Sequence, residues 1–81
     1  MNKVLIINPY YFPGYKSGGP QQTVMNIVEA YGNQFDFYIL TLNHDLGETK
    51  KYDSIHDGWN NVGNAHVKYL EEKDFNYKIL S

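Results

Sequence analysis

The sequence predicts an α/β fold in which a βαβ unit forms a mostly parallel sheet. Three observations predict it. Val4–Ile7 is continuously apolar and β-branched, which fits a strand covered on both faces. An apolar stripe at helical spacing follows, and then comes the aromatic, β-branched segment Phe35–Leu42. Strand, helix of about twelve residues and strand make a βαβ unit, whose crossover is expected to be right-handed.

The boundaries of the first strand and the helix follow from proline and glycine. The strand ends at Asn8-Pro9, because the residue before proline avoids helical angles and proline donates no hydrogen bond. The helix is predicted to begin at Gly19 or Pro20, since proline is tolerated in the first turn, and to stop at Gly32. Its apolar stripe consists of Val24, Ile27, Val28 and Tyr31.

The second half of the chain is less regular. The polar stretch Asn43–Asn64 is long for a loop in a small domain, so it is either a functional loop or contains a short element around Tyr52–Trp59. Ala65–Leu70 alternates as a third strand. Glu71–Asp74 is interpreted as a charged turn, and Phe75–Leu80 is again apolar.

Size and composition predict one partial domain over residues 1–81. Hydrophobic residues make up 42% of the chain, which is typical of a globular protein. An apolar run at the end of the chain suggests an unfinished domain. With one clear helix, one face of the sheet would be bare and the first strand would have an open edge. The isolated chain is therefore expected to associate as a homo-oligomer or to be poorly soluble.

Charge and residue types exclude several classes of function. The net charge is −2 and arginine is absent, so no nucleic-acid partner is predicted. Cysteine is absent, which excludes disulfides and thiolate metal sites. The four-residue apolar run near the N-terminus is too short for a signal peptide or a membrane span, so a cytoplasmic location is predicted. No cofactor and no metal are predicted. The sequence spacing of the possible ligands matches no metal-binding motif; these are His44, Asp53, His56, Asp57 and His66.

Gly18-Gly19 is the first candidate site. Glycines let a ligand approach the backbone, and the helix start behind them offers unpaired N–H groups and the positive end of the helix dipole. The donors are expected from Gly18, Gly19, Gln21 and Gln22. The pattern is neither the dinucleotide fingerprint nor a P-loop, so phosphate binding and a plain strand-to-helix turn both stay open.

The residues around this turn add further candidates. Lys16 could neutralise a phosphate, and Ser17 could cap the helix or bind a ligand. The rings of Tyr10–Tyr15 could stack on sugars or bases, or could simply cover the sheet. Asn43-His44-Asp45 follows the second strand, where open α/β sheets bind ligands, although such residues are also ordinary turn formers.

Several blocks of this chain resemble the start of bacterial GT-B glycosyltransferases of the family-4 kind. The first is Asn8–Pro20, an aromatic-proline loop with a Gly-Gly turn that leads into the first helix. Thr41–Gly47 is similar to the family's segment after its second strand. Tyr52, Trp59 and Val62–Leu70 continue the likeness, which spans nearly the whole chain in order and spacing.

The resemblance implies a Rossmann-like, acceptor-binding N-terminal domain of an enzyme for cell-surface or capsular polysaccharide. It implies that Gly18 and Gly19 face the diphosphate of a nucleotide-sugar donor. Tyr15, Lys16, Ser17 and Asp45 would then lie on the side of the sugar acceptor, which could sit at a membrane surface. No catalytic residue is assigned to this chain.

Two departures limit what the resemblance implies. The family usually has Asp-Arg where this chain has Asn43-His44. Its donor-binding domain, with paired glutamates and a basic diphosphate clamp, has no counterpart in this sequence, so the chain is expected to be inactive alone. The alternatives are a stand-alone α/β module that binds phosphate or sugar phosphate, and a dimerising structural domain.

Overall fold

A computed structural model describes residues 2–80, with side chains described for residues 2–76. Four strands form one sheet, and two helices accompany it. In chain order the elements are β1 (Asn2–Ile7), α1 (Gly19–Tyr31), β2 (Phe35–Leu42), β3 (Trp59–Val62), β4 (Ala65–Leu70) and α2 (Glu72–Leu80).

The sheet is mostly parallel, with strand order β1-β2-β4-β3. β1 pairs with β2 and β2 with β4 in parallel, whereas β3 runs antiparallel to β4. Gly63 lies in the short turn between β3 and β4 with φ of +57°, a value that favours glycine. Parallel pairing brings the carboxyl ends of β1, β2 and β4 to the same edge of the sheet, and that edge positions the candidate site.

The main core lies between α1 and one face of the sheet. Ile39 and Val67, in the two central strands, are completely buried there. Val28 of α1 packs against this layer, and Tyr11 from the loop after β1 completes it at 2% exposure. On the other face Leu42, Leu70 and Phe75 form a smaller cluster, through which α2 packs against the carboxyl ends of β2 and β4.

The expectations for β1, α1, β2 and the third predicted strand are confirmed, and the fold is α/β with an open, mostly parallel sheet. The interpretation of Glu71–Asp74 as a turn is wrong, because α2 begins at Glu72. Glu72 and Asp74 lie in its first turn, where carboxylates interact favourably with the helix dipole, and Phe75 anchors the helix by burial.

The long polar stretch contains a strand that the sequence did not define. β3 begins at Trp59, and Asn60 closes the loop before it. The Asn60 Oδ1 accepts the N–H of His56 at 3.0 Å, and its Nδ2 donates to the His56 carbonyl at 2.9 Å. This pair of bonds turns the backbone into β3.

The face of the sheet opposite α1 is only partly covered. α2 packs on its carboxyl end, while Leu5, Ile7 and Trp59 stay 59%, 46% and 41% exposed. β1 has one neighbouring strand in the described sheet, so its other edge is open. The predicted association of the isolated chain stays a prediction. No helix within residues 2–80 is long and apolar enough to cross a membrane.

Candidate functional site

Two loops meet at the carboxyl edge of the sheet. We call residues Tyr10–Gly18, between β1 and α1, the aromatic loop, and residues Asn43–Gly58, between β2 and β3, the polar loop. Ligands of open α/β sheets bind at this edge. The two loops are joined most directly by Asp45 of the polar loop.

The carboxylate of Asp45 holds the backbone of the aromatic loop. Its Oδ2 accepts the N–H of Tyr15 at 3.0 Å, and Lys16 N–H donates to both carboxylate oxygens at 3.2 and 3.3 Å. The N–H of Leu46 donates to Oδ1 at 2.8 Å. Asp45 is only 6% exposed. One buried side chain therefore satisfies three main-chain donors from both loops.

The ionisation of Asp45 follows from these contacts. Burial on its own raises the pKa of a carboxyl, but the N–H groups of Tyr15, Leu46 and Lys16 and the Lys16 charge hold the pKa of Asp45 below its usual value. Asp45 is therefore ionised near neutral pH and acts as an acceptor, not as a proton donor.

Other side chains hold the aromatic loop at further points. The side-chain amide of Gln21 donates through its Nε2 to the carbonyl of Gly14, and Gln21 is 5% exposed. The hydroxyl of Tyr69 donates to the carbonyl of Phe12. A Cβ added at Gly14 would collide with Tyr52 Oη and lie 2.8 Å from Asp45 Oδ1, so this position needs glycine for a close approach.

Tyr15, Lys16 and Ser17 all lie at the site, and their side chains differ in exposure and in bonding partners. Tyr15 is 75% exposed although its N–H is held by Asp45. Lys16 pairs with Glu48, whose hydrogen bond and charge raise the pKa of the lysine. The expectation that Ser17 could cap the helix is not met, because its hydroxyl donates to Gln21 Oε1 at 2.9 Å and α1 has no side-chain cap.

The Gly18–Gly19 turn is open. Gly18 has φ of +66° and precedes α1, and a Cβ added at Gly18 or Gly19 would meet nothing within 4 Å. The expected set of four donors is too large. Gly18 N–H points to the Tyr15 carbonyl at 3.4 Å, and Gln22 N–H donates to the Gly18 carbonyl at 3.0 Å. Gly19 and Gln21 carry the N–H groups that precede the first intrahelical bond.

The rings of the aromatic loop were expected either to cover the sheet or to stack on a ligand, and they differ in this respect. Tyr11 covers the sheet as part of the main core. Phe12 is 49% exposed and Tyr15 is more so. Tyr10 lies edge-on to His44, with ring centroids 6.3 Å apart. Stacking on a ligand stays a prediction for the two exposed rings.

Sequence reasoning missed a polar cavity beside these loops. It has a volume of about 510 Å³ and lies between the polar loop, the end of β4 and the start of α2. Asn43, Tyr52 and Tyr69 line it, together with Lys51 and Glu71, whose side chains pair at 3.1 Å. Asn43 was the one available signal, because it follows β2 directly; the other residues are scattered along the chain.

The described residues offer no metal centre. No group of three or more histidine, aspartate or glutamate side chains in residues 2–76 is placed to hold a metal ion. His44 has its Nδ1 3.1 Å from the carbonyl of Asp45, and His56 has the same atom 2.8 Å from the carbonyl of Asp57.

Comparison of the chain with models of protein families, with curated proteins and with solved structures found no match.

Proposed function

We propose that this chain is the N-terminal part of the acceptor-binding domain of a GT-B-type glycosyltransferase. The enzyme would transfer a sugar from a nucleotide-sugar donor to a polysaccharide or lipid-linked acceptor, and the chain would be inactive alone. One observation carries the proposal: the Gly18–Gly19 turn at the start of α1 is sterically open, on a loop that buried side chains hold in place.

The chemistry of the turn fits a leaving diphosphate. Gly19 and Gln21 offer main-chain N–H groups at the positive end of the α1 dipole, where an anion is stabilised. Fixed donors that face a developing negative charge lower the barrier to its departure, because they need no reorganisation during the reaction. The chain has no arginine, so the remaining diphosphate charge would have to be balanced by another part of the enzyme.

The other predicted site residues would act around this turn. Tyr15 presents a free ring from a fixed backbone, which suits contact with a sugar face. Lys16 and Ser17 lie between this ring and the turn. Asp45 lines a cavity with Tyr15 and Lys16, so a contact with an acceptor stays a proposal beside its visible role in holding the loop.

Binding of inorganic pyrophosphate and UDP-glucose to the labelled chain tests the proposal. We expect the amide signals of Gly19 and Gln21 to shift with a dissociation constant of about 1–10 mM, since one helix start supplies only a few kcal/mol. Gly19→Val should abolish the shifts by blocking close approach of the anion. Asn26→Val, which adds a β-branched residue at an exposed position of the same helix, should not.

Two outcomes would contradict or redirect the proposal. Absence of shifts at Gly19 and Gln21, or equal binding by Gly19→Val, would remove the diphosphate role. Binding of inorganic monophosphate that is as strong as that of pyrophosphate and UDP-glucose, with the same shifts, would favour the alternative, a module for phosphate or sugar phosphate.

A further inference from the structure

The dipeptide His-Asp occurs twice in this chain, and its two copies lie in different surroundings. Both belong to the polar loop, as His44-Asp45 near its start and His56-Asp57 near its end. In each copy the histidine Nδ1 lies against the main-chain carbonyl of the aspartate that follows it, at 3.1 Å for His44 and 2.8 Å for His56. A carbonyl oxygen only accepts hydrogen bonds, so Nδ1 is the donor in both contacts.

The aspartate of the first copy is protected from reaction. The Asp45 carboxylate is buried, and the N–H groups that it accepts hold its pKa below the usual value, so it stays ionised. An ionised carboxylate resists attack by a nucleophile, because it is negatively charged and has no hydroxyl that can leave as water. The next residue is Leu46, whose N–H already donates to Asp45 Oδ1.

The aspartate of the second copy is exposed. Within residues 2–76 the Asp57 carboxylate forms no ion pair, so it exchanges protons freely with solvent. The residue after it is Gly58, with φ of +84° and no atom within 4 Å of a Cβ added there. The loop hydrogen bonds between main-chain groups of the described residues include none donated by the Gly58 N–H. Asp57 is also the one aspartate in the sequence that glycine follows.

These features favour an intramolecular reaction between Gly58 and Asp57. The Gly58 nitrogen attacks Cγ of the protonated Asp57 side chain, and the two atoms are held close by the chain itself. The new C–N bond closes a five-membered succinimide ring, while the N–H proton and the carboxyl hydroxyl leave as water. Hydrolysis then adds water to either ring carbonyl and yields aspartate or its β-linked isomer, isoaspartate. Glycine permits the ring because it has no side chain to obstruct it.

His56 can assist this reaction through the peptide bond. The carbonyl that its Nδ1–H contacts belongs to the same peptide group as the attacking nitrogen of Gly58. When that nitrogen loses its proton, negative charge develops on the carbonyl oxygen, and a donor already in place stabilises it. The contact therefore makes the Gly58 N–H more acidic and its nitrogen more nucleophilic.

We propose that Asp57-Gly58 is a site of spontaneous modification, at which the chain converts its own aspartate to isoaspartate with the assistance of His56. The inference does not rest on the proposed function. Residues 55–58 line the polar cavity, so the modification changes the wall of that cavity. The β-linkage also adds one carbon to the main chain between His56 and Gly58, beside the pair of bonds by which Asn60 holds His56.

Prolonged incubation of the chain at physiological temperature and pH tests the site. Methylation by an isoaspartyl methyltransferase counts the isoaspartate, and electron-transfer fragmentation in a mass spectrometer locates it. We expect at least about ten times more isoaspartate at Asp57 than at Asp53, an exposed aspartate that serine follows. Asp57→Glu keeps the charge but needs a larger ring, so it should remove the modification at this position.

Substitution of the two histidines tests the assistance. His56→Phe keeps a planar ring at an exposed position but has no N–H, and it should slow the conversion of Asp57 at least about threefold. His44→Phe is the matched control, because it removes the same kind of contact from the first copy. It should leave the rate at Asp57 unchanged.

Equal amounts of isoaspartate at Asp57 and Asp53 would overturn the inference. An unchanged rate in His56→Phe would overturn it as well, because the modification would then owe nothing to the contact of His56 with the carbonyl. Equal slowing by His44→Phe would have the same meaning, since it would trace the effect to the loop as a whole. The amide shifts of Gly19 with pyrophosphate test the proposed function separately, and neither result decides the other.

Discussion

The two loops at the carboxyl edge are held in different ways. The aromatic loop is bound through its backbone by side chains of other segments, namely the buried Asp45 and Gln21 and the half-buried Tyr69. In the polar loop, every residue from 46 to 51 is exposed. The ties of that stretch to other segments are the surface ion pairs Lys16–Glu48 and Lys51–Glu71, the kind of contact that contributes little to stability.

The proposed function gives a reason for this difference. A donor group gains from fixed geometry, and the aromatic loop fixes the Gly18–Gly19 turn before any ligand arrives. A segment with exposed residues and few buried contacts opens at a small free-energy cost. The following substitutions test whether the aromatic loop is held more firmly than the polar loop.

Removal of the Asp45 carboxylate should have the largest effect. Asp45→Ala leaves the N–H groups of Tyr15, Lys16 and Leu46 without their charged acceptor. Hydrogen bonds to charged groups are worth about 1.5–3 kcal/mol each and are not additive, so we expect a loss of about 3 kcal/mol in the free energy of unfolding. Urea unfolding followed by circular dichroism measures it.

Glu48→Ala is the control for this loss. It removes a carboxylate from the exposed part of the polar loop and breaks the ion pair to Lys16, for an expected cost below about 0.5 kcal/mol. Equal losses for the two variants would mean that the aromatic loop is held no more firmly than the polar loop.

Gly14→Ala should have the next largest effect. The added methyl group would collide with Tyr52 Oη and press on Asp45, which should cost about 1–3 kcal/mol in thermal or urea unfolding. Gly19→Ala places the same methyl group in open space and should change stability by less than about 0.5 kcal/mol.

The steric origin of the Gly14 effect can be checked in a second background. Tyr52→Phe removes the hydroxyl that the new methyl group would meet, so Gly14→Ala should be less harmful there. A cost for Gly14→Ala that is the same in both backgrounds would rule out this collision as its cause.

Local patterns predicted the elements that carry their own signal. Val4–Ile7, the helical stripe of α1 and the alternation of Ala65–Leu70 each identify an element without help from the rest of the chain. The sequence did not predict β3, because apolar and polar residues do not clearly alternate in Trp59–Val62. This segment forms a strand by pairing with β4. α2 was missed because its first turn is charged. Among residues 72–76, whose side chains the structure describes, Phe75 is the buried one and contacts Leu42 and Leu70.

The site was predictable only in part, because local sequence patterns do not show contacts between residues that are distant in sequence. Gly18-Gly19 and Asp45 stand out by residue type and position after strands. The function of Asp45 in holding Tyr15 depends on a contact across thirty residues of sequence, which no spacing rule reveals.

Amide hydrogen exchange in a single sample tests the central contrast most directly. The account predicts that the amides of Tyr15 and Lys16, which are bonded to the buried Asp45 carboxylate, exchange at least about tenfold more slowly than those of Thr49 and Lys50, after correction for intrinsic rates. Equal exchange rates at the two places would contradict a preformed aromatic loop, and with it the fixed Gly18–Gly19 turn.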